Sequence, residues 1–499
     1  MNKKQALFSL LTVLIIASFL RLYNLMPADN SGRFSPPGLY PDEAMNGNNA
    51  VEAIHTGDWK VFYPENFGRE GLFINIQSVS IMALGNTPWA LRLPSALFGI
   101  LTVLGLYFLS KELLKSEQAA IFSSFLLATS FWHIMFSRIG FRAIIAPFFL
   151  VWAVYLLILS FRKIREESWS LLKCDFLSAL AGAVFGLGMY SYIAYRATPL
   201  IILSAGYLFW KNFPYELRPK LVRSMVVFFV AALIICLPLL DHFWNNPADF
   251  FGRTSGISVF NSAVPLSDLG FNIIKTLGMF NVAGDFNWRH NFAGRPELFL
   301  PVGLFFLYGA WLSVRKIRDS GFSAVSEIIL CVWFSVALLP VVISNEGLPH
   351  ALRSLLMIPP VFIFAAIGGM KTYGILKSKL SRDLMAVISF AFIGLLLFES
   401  YAVYFVAWTN HPAVKDSFAY RDFELSEQMN FLSRGIPKYA VVRGADRTIA
   451  RDYPISLQSV LFLTDTFSSE KRIEKNIFYV TPEQAESIEI PAGGVLLRL

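Results

Sequence analysis

The sequence predicts an all-α, polytopic membrane protein of about eleven transmembrane helices, followed by a small α/β domain. Three observations carry this prediction. Hydrophobic residues fill 55% of the 499 positions and charged residues only 16%, whereas a soluble chain carries about a quarter charged residues. Apolar runs long enough to cross a hydrocarbon core recur along most of the chain. Lysine and arginine gather in every second connection between those runs.

The apolar runs lie at roughly 6–26, 90–110, 118–136, 143–161, 176–194, 198–210, 222–241, 297–314, 324–343, 352–370 and 384–406. The sixth is short enough to be tilted or partly re-entrant. Met1-Asn2-Lys3-Lys4 ahead of the first run would suit a signal peptide. The run continues to about Leu25 with no small-residue cleavage site, so it reads as a retained helix. Cys174, Cys236 and Cys331 sit in or beside apolar runs without CxxC spacing, which supports neither a disulfide framework nor a zinc site.

Orientation follows from the basic connections, because short cytoplasmic loops retain Lys and Arg. With Lys3-Lys4 inside, the inner loops hold Lys111 and Lys115, then Arg162-Lys163 with Arg165 and Lys173. Lys211 to Arg223, Arg315-Lys316 with Arg318, and Lys371 to Arg382 continue the series. The net charge of +8 therefore reports topology, and no nucleic-acid partner is expected. Three larger pieces fall outside: 27–87, 242–296 and everything beyond about 409. The chain divides into a membrane module, 1–408, that includes the first two pieces, and an extracytoplasmic α/β domain, 409–499. That domain shows β-like runs at 439–443, 459–463, 476–480 and 494–498 and a helix-like stretch near 419–434. The expected location is the cell (inner) membrane, multi-pass, with the N-terminus cytoplasmic.

Span ends on the outer side should be poor in cations, yet several arginines stand there. Arg138 and Arg142 lie between the third and fourth spans, and Arg196 lies between the fifth and sixth. His350 and Arg353 open the tenth, and Arg69 comes late in the first outer loop. Any one of them alone reads equally well as a side chain snorkelling to lipid phosphate. Five guanidinium groups from four connections on one face point to an anion site, since the planar fork of arginine binds two phosphate oxygens at once.

Pro41-Asp42-Glu43 in the first outer loop reads as a helix start, with acids at the positive end of the dipole. It also supplies a carboxylate that could act as a general base. Tyr192 and Tyr195, with Trp59, Trp89, Trp132 and Tyr190, suit an interfacial belt or a sugar-stacking surface. His242 and His290 lack HxxxH or HExxH spacing and read as lone surface histidines.

Taken in order, these pieces resemble the GT-C superfamily of glycosyltransferases that use polyprenyl-phosphate sugars. The family-39-like branch, with protein O-mannosyltransferases and lipid A aminoarabinose transferases, is the most similar. The resemblance is carried by Phe19-Leu-Arg-Leu-Tyr23, Asp42-Glu43, Gly68-Arg-Glu-Gly-Leu-Phe73 and Trp89-Ala-Leu-Arg-Leu-Pro-Ser95. Ser137-Arg138 with Arg142, Gly186 to Tyr192 with Arg196, and Pro349-His-Ala-Leu-Arg353 before Pro359-Pro360 complete it. It implies a GT-C-like membrane module and a polyprenyl-phosphate-sugar donor bound at the outer leaflet. Transfer then goes to a protein, lipid or glycan hydroxyl by inverting displacement. Asp42 becomes the general base, with Glu43 as helper or metal contact. Arg69, Arg138, Arg142, Arg196 and Arg353 become donor-phosphate ligands, and Tyr192, Tyr195 and His350 further substrate contacts. Arg-Glu-Gly at 69–71 replaces the Lys-Pro-Pro more usual in the family. The resemblance implies no definite cofactor and leaves a divalent metal open. A lipid or glycan transporter, an O-antigen ligase or polymerase, and a glycan-binding relative without activity are the competing readings.

Overall fold

The protein, described from a computed structural model, is resolved into structure over residues 2–26, 34–442, 448–450 and 453–498. Ten helices among the described residues are long and apolar enough to cross a membrane: Lys3–Leu22, Pro88–Leu114, Arg142–Arg165, Leu171–Gly188, Ile193–Asn212, Tyr215–Asn245, Leu300–Ser323, Val325–Val342, Leu355–Lys379 and Arg382–Trp408. They match ten of the eleven expected spans. The remaining run, 118–136, is two shorter helices, Glu117–Ala128 and Phe131–Phe136. The break falls at Thr129-Ser130, where the Thr129 hydroxyl donates back to the Phe125 carbonyl at 3.0 Å. Such back-bonding competes with the helical ladder.

The chain forms two compact units. The larger comprises residues 1–21, 97–137 and 142–404 and holds the helical bundle. Water does not drive helices together inside a bilayer, so small residues and shared hydroxyls set their approach. Leu171–Gly188 lies against Arg218–Asn245 at Gly182, where a Cβ would come within 2.1 Å of the Phe228 carbonyl oxygen. The buried hydroxyls of Ser178 and Ser224 meet at 2.5 Å, and Ser160 joins them at 2.8 Å from Ser178. These three serines stitch together three helices. Leu300–Ser320 and Ile358–Lys379 interlock through Gly309 and Gly368. A Cβ on Gly309 would fall 1.8 Å from Phe364 O, and one on Gly368 would fall 2.0 Å from Phe305 O.

The smaller unit comprises residues 22–96, 138–141 and 405–499. Within it the C-terminal segment shares a core with the first loop. Helix Gln458–Leu463 packs on helix Pro41–Thr56. Asn48 Nδ2 donates to Gln458 O at 3.0 Å and to Gln458 Oε1 at 2.9 Å, and Ser459 Oγ donates to Leu39 O at 2.8 Å. Gly47 leaves room for the Phe462 ring, which a Cβ would meet at 2.4 Å.

The run 459–463 is therefore helical, where its composition suggested a strand. Leu461 enters the C-terminal core with Ala440 and Ile477, while Phe462 enters the other with Leu39 and Ile74. A short run buried on every side has no period that distinguishes the two structures. The other expected elements stand. Lys438–Val441 is flanked by Ile477–Val480 and Val495–Arg498 in a parallel three-stranded sheet, and Tyr420–Phe431 is the helix. Arg443 of the first expected strand and residues 27–33 of the first loop lie outside the described residues.

Replacing Gly309 with valine should cost about 1–3 kcal/mol through overpacking and lower the unfolding midpoint in detergent. Gly374→Ala, on the partner helix Ile358–Lys379 with nothing within 4 Å of its Cβ position, should not lower that midpoint. Equal midpoints for both variants would refute the close helix contact.

Candidate active site

The acidic pair opens helix Pro41–Thr56, which begins with Pro41 after an extended Tyr40. Proline suits a first helical position because its missing N–H would be unpaired there anyway, and the following acids face the positive end of the dipole. The two neighbours then part company. Glu43 and Arg92 are both fully buried and form a bidentate pair, Nε to Oε2 at 2.8 Å and Nη2 to Oε1 at 2.9 Å. Arg92 also donates to the carbonyls of Pro36 at 2.7 Å and Gly38 at 2.9 Å. The Gly140 amide donates to Glu43 Oε2 at 2.7 Å. Glu43 is thus an internal clamp joining residues 36–43, 92 and 140.

Asp42 is only half-buried, and its Oδ1 accepts from Asn66 Nδ2 at 3.1 Å. Asn66 lies in a turn with three successive positive φ angles, Asn66 at 54°, Phe67 at 65° and Gly68 at 90°. Asparagine and glycine tolerate that region best. The turn joins the short antiparallel strands Phe62–Tyr63 and Arg69–Glu70.

Arg69 follows the turn and is buried. It donates to Asn46 Oδ1 at 2.7 Å, Asn49 Oδ1 at 2.5 Å and Glu65 O at 3.2 Å, with Glu65 Oε2 at 3.4 Å. Asn46 hands the connection on, since its Nδ2 donates to Gly140 O at 3.1 Å. Arg138 is fully buried, donates to Tyr23 O at 2.7 Å and Ser35 O at 2.9 Å, and lies over the Phe405 ring at 4.9 Å. Within the smaller unit, then, the structure brings together Asp42, Glu43 and Arg69 through Asn46, Asn66 and Gly140. Arg69 and Arg138 both hold protein acceptors.

The other expected site residues belong to the larger unit. Arg142 is half-exposed and lies over the Tyr192 ring at 5.8 Å. Arg196 donates to the Phe250 carbonyl and sits between the rings of Phe243 and Phe250, at 4.8 and 4.6 Å. Tyr195 is fully enclosed, its ring 5.4 Å from Phe185. Arg353 is buried and donates to the Ser344 hydroxyl, to Glu346 O at 2.9 Å and to Glu346 Oε2 at 2.8 Å. His350 stacks on His290 at 4.9 Å, and Asp285 Oδ2 lies 3.0 Å from His290 Nδ1 and 3.8 Å from His350 Nδ1. Burial holds the His290 imidazole below its usual range, against the opposing pull of Asp285. His290, which reads as a surface residue in the sequence, is buried.

Sequence reasoning missed two residues. Arg92 lies in the quoted stretch Trp89–Ser95, and a lone arginine inside an apolar run is a signal that a carboxylate awaits it. Asp285 lies five residues before His290, and its tie to His350 arises only in three dimensions.

Residues 73–242 match the model of the dolichyl-phosphate-mannose-protein mannosyltransferase family. YkcB of Bacillus subtilis, which carries the name of a mannosyltransferase, is 25% identical over 288 residues. That match covers 57% of this chain and 37% of the relative. The chain therefore spans well under half of that protein. ArnT from Cupriavidus metallidurans, solved with undecaprenyl phosphate, superposes with a TM-score of 0.55 at 13% identity over 96% of this chain and 90% of its own. AglB from Archaeoglobus fulgidus, solved with an inhibitory peptide and a dolichol-phosphate, gives 0.54 at 14% identity over 97% and 70%. The fold is thus the GT-C membrane fold that the sequence resembles.

Glu43→Gln or Arg92→Met should each destabilise the protein by about 3–5 kcal/mol, because each leaves a buried partner uncompensated. Asp42→Asn, at a half-exposed position, should stay within about 0.5 kcal/mol of the parent. Thermal unfolding in detergent separates these outcomes. Equal losses at 42 and 43 would contradict the division of the pair.

Proposed function

We propose that this chain is a membrane glycosyltransferase that moves a sugar, mannose by similarity to its relatives, from a polyprenyl-phosphate donor to an acceptor hydroxyl. Reaction takes place on the extracytoplasmic side, with the N-terminus and the basic connections in the cytoplasm. The single observation that carries the reading is the division of labour between Asp42 and Glu43. A general base must be reachable by the hydroxyl it serves and oriented by a neighbour. Asp42 meets both conditions at the solvent-accessible helix start, with Asn66 on one oxygen. Glu43, enclosed with Arg92, fixes that helix start and meets no substrate.

In this mechanism Asp42 takes the proton of the acceptor hydroxyl as its oxygen attacks the anomeric carbon. The bond from that carbon to the phosphate oxygen breaks, and its electron pair leaves with the polyprenyl phosphate. Attack opposite the leaving group inverts the anomeric configuration. Cations stabilise the charge that gathers on the departing phosphate. The acceptor stays within the hydroxyl-bearing proteins, lipids and glycans.

The test is release of polyprenyl phosphate from a polyprenyl-phosphate-mannose donor in proteoliposomes made with native lipid and protein extract. Asp42→Asn should lower the rate by about 10²–10⁴, the usual worth of a general base, with unfolding unchanged. Full turnover by that variant, or a product that keeps the donor's anomeric configuration, would overturn the mechanism.

A further inference from the structure

The larger unit carries a cluster outside this chemistry. Asp285, His290 and His350 each present one ligand atom, and the three atoms lie within 4.8 Å of one another. We propose that they form a binding site for a divalent transition metal of the zinc type. The inference stands apart from the transfer step proposed above, and of its three residues only His350 is among the substrate contacts that the resemblance implies.

Donor chemistry and spacing both favour a metal. Two imidazoles and one carboxylate are a standard three-ligand set for zinc, which takes bonds of about 2.0–2.2 Å and leaves a fourth position open. A tetrahedral arrangement of such bonds puts ligand atoms about 3.3 Å apart. The distances of 3.0 Å from Asp285 Oδ2 to His290 Nδ1 and 3.8 Å to His350 Nδ1 bracket that value. On metal binding the His290 proton moves from Nδ1 to Nε2, and the Nδ1 lone pair turns to the ion.

The carboxylate is held as an oriented ligand should be. Asp285 Oδ1 accepts from the Asn287 amide at 2.8 Å, and Oδ2 accepts from the Ala351 amide at 2.9 Å. The loop that carries it is tied back on itself. The Asp285 amide donates to Glu297 Oε1 at 3.0 Å, and its carbonyl accepts from the Gly294 amide at 2.9 Å and from Asn291 Nδ2 at 3.2 Å. Gly284 permits the closure, since a Cβ there would meet Arg295 O at 2.1 Å. On the other side Trp132 Nε1 fixes the Ala351 carbonyl at 3.1 Å. Supporting bonds of this kind set ligand geometry and metal affinity. His350 is the least buried of the three residues.

A metal here would join the loop preceding span Leu300–Ser323 to the segment preceding span Leu355–Lys379. Two spans separate them in sequence, so the ion would reinforce the link that the Ala351 amide already makes to Asp285.

The test uses the full chain in detergent, stripped with chelator, desalted and titrated with Co²⁺ as the spectroscopic probe. Wild type should take up about one equivalent and develop the visible bands of a four-coordinate site, displaced by Zn²⁺. His350→Ala should weaken uptake by about tenfold or more, and exposed His55→Ala should not change it. If His290→Ala fails to fold, Asp285→Asn supplies the second ligand variant. Absence of bands in folded wild type, or equal uptake by His350→Ala, would overturn the site. Since nothing in the readout depends on turnover, failure here leaves the proposed reaction standing, and failure of the reaction leaves the metal site standing.

Discussion

An enclosed carboxylate needs a cation beside it, and Glu43 has one in Arg92, with neither side chain reaching solvent. Each partner has further bonds: Arg92 to the carbonyls of Pro36 and Gly38, Glu43 to the Gly140 amide. A pair of this kind contributes little over an apolar replacement, but removal of either half leaves an uncompensated charge that costs several kcal/mol. Its value lies in position. The pair brings the residues before the helix, the helix start, Arg92 and the Gly140 turn to one point. Asp42 is thereby presented at a fixed place in the first helical turn. Reactive groups must be held within fractions of an ångström, so an inert neighbour that cannot move suits the role proposed for Asp42 at the helix start.

Arginine in low dielectric explains much of the remaining architecture. A guanidinium keeps its charge wherever it is, so a buried one must find oxygens. Arg69 finds two asparagine side chains and Glu65, Arg138 finds two backbone carbonyls, and Arg353 finds Ser344 and Glu346. These residues organise loops. Arg142 and Arg196 are half-exposed and lie over aromatic rings, and Arg196 also donates to the Phe250 carbonyl.

The membrane architecture was legible because charge and length obey one rule everywhere: hydrocarbon excludes charge, and about 20 apolar residues are needed to cross it. The run at 118–136 obeys the rule in composition yet breaks at Thr129-Ser130, where the Thr129 hydroxyl offers the backbone another partner. The segment 459–463 was misread as a strand because its apolar side chains serve two cores at once. That double service also ties the C-terminal residues to the first loop. In the site, Asp42-Glu43 was visible as a pair, but nothing local tells the two apart. The distinction comes from Arg92, which lies far along the chain in an apolar run. The Asp285–His290–His350 cluster was hidden for the same reason, since ligands on separate loops leave no spacing to read.

The most direct measurement is an experimental structure of the protein with a non-hydrolysable polyprenyl-phosphate-sugar analogue. The account predicts an anomeric carbon whose open face looks toward the Asp42 carboxylate across a gap the size of a hydroxyl, while Glu43 stays locked on Arg92. A sugar bound away from Asp42, or Glu43 released from Arg92 to touch it, would contradict that account.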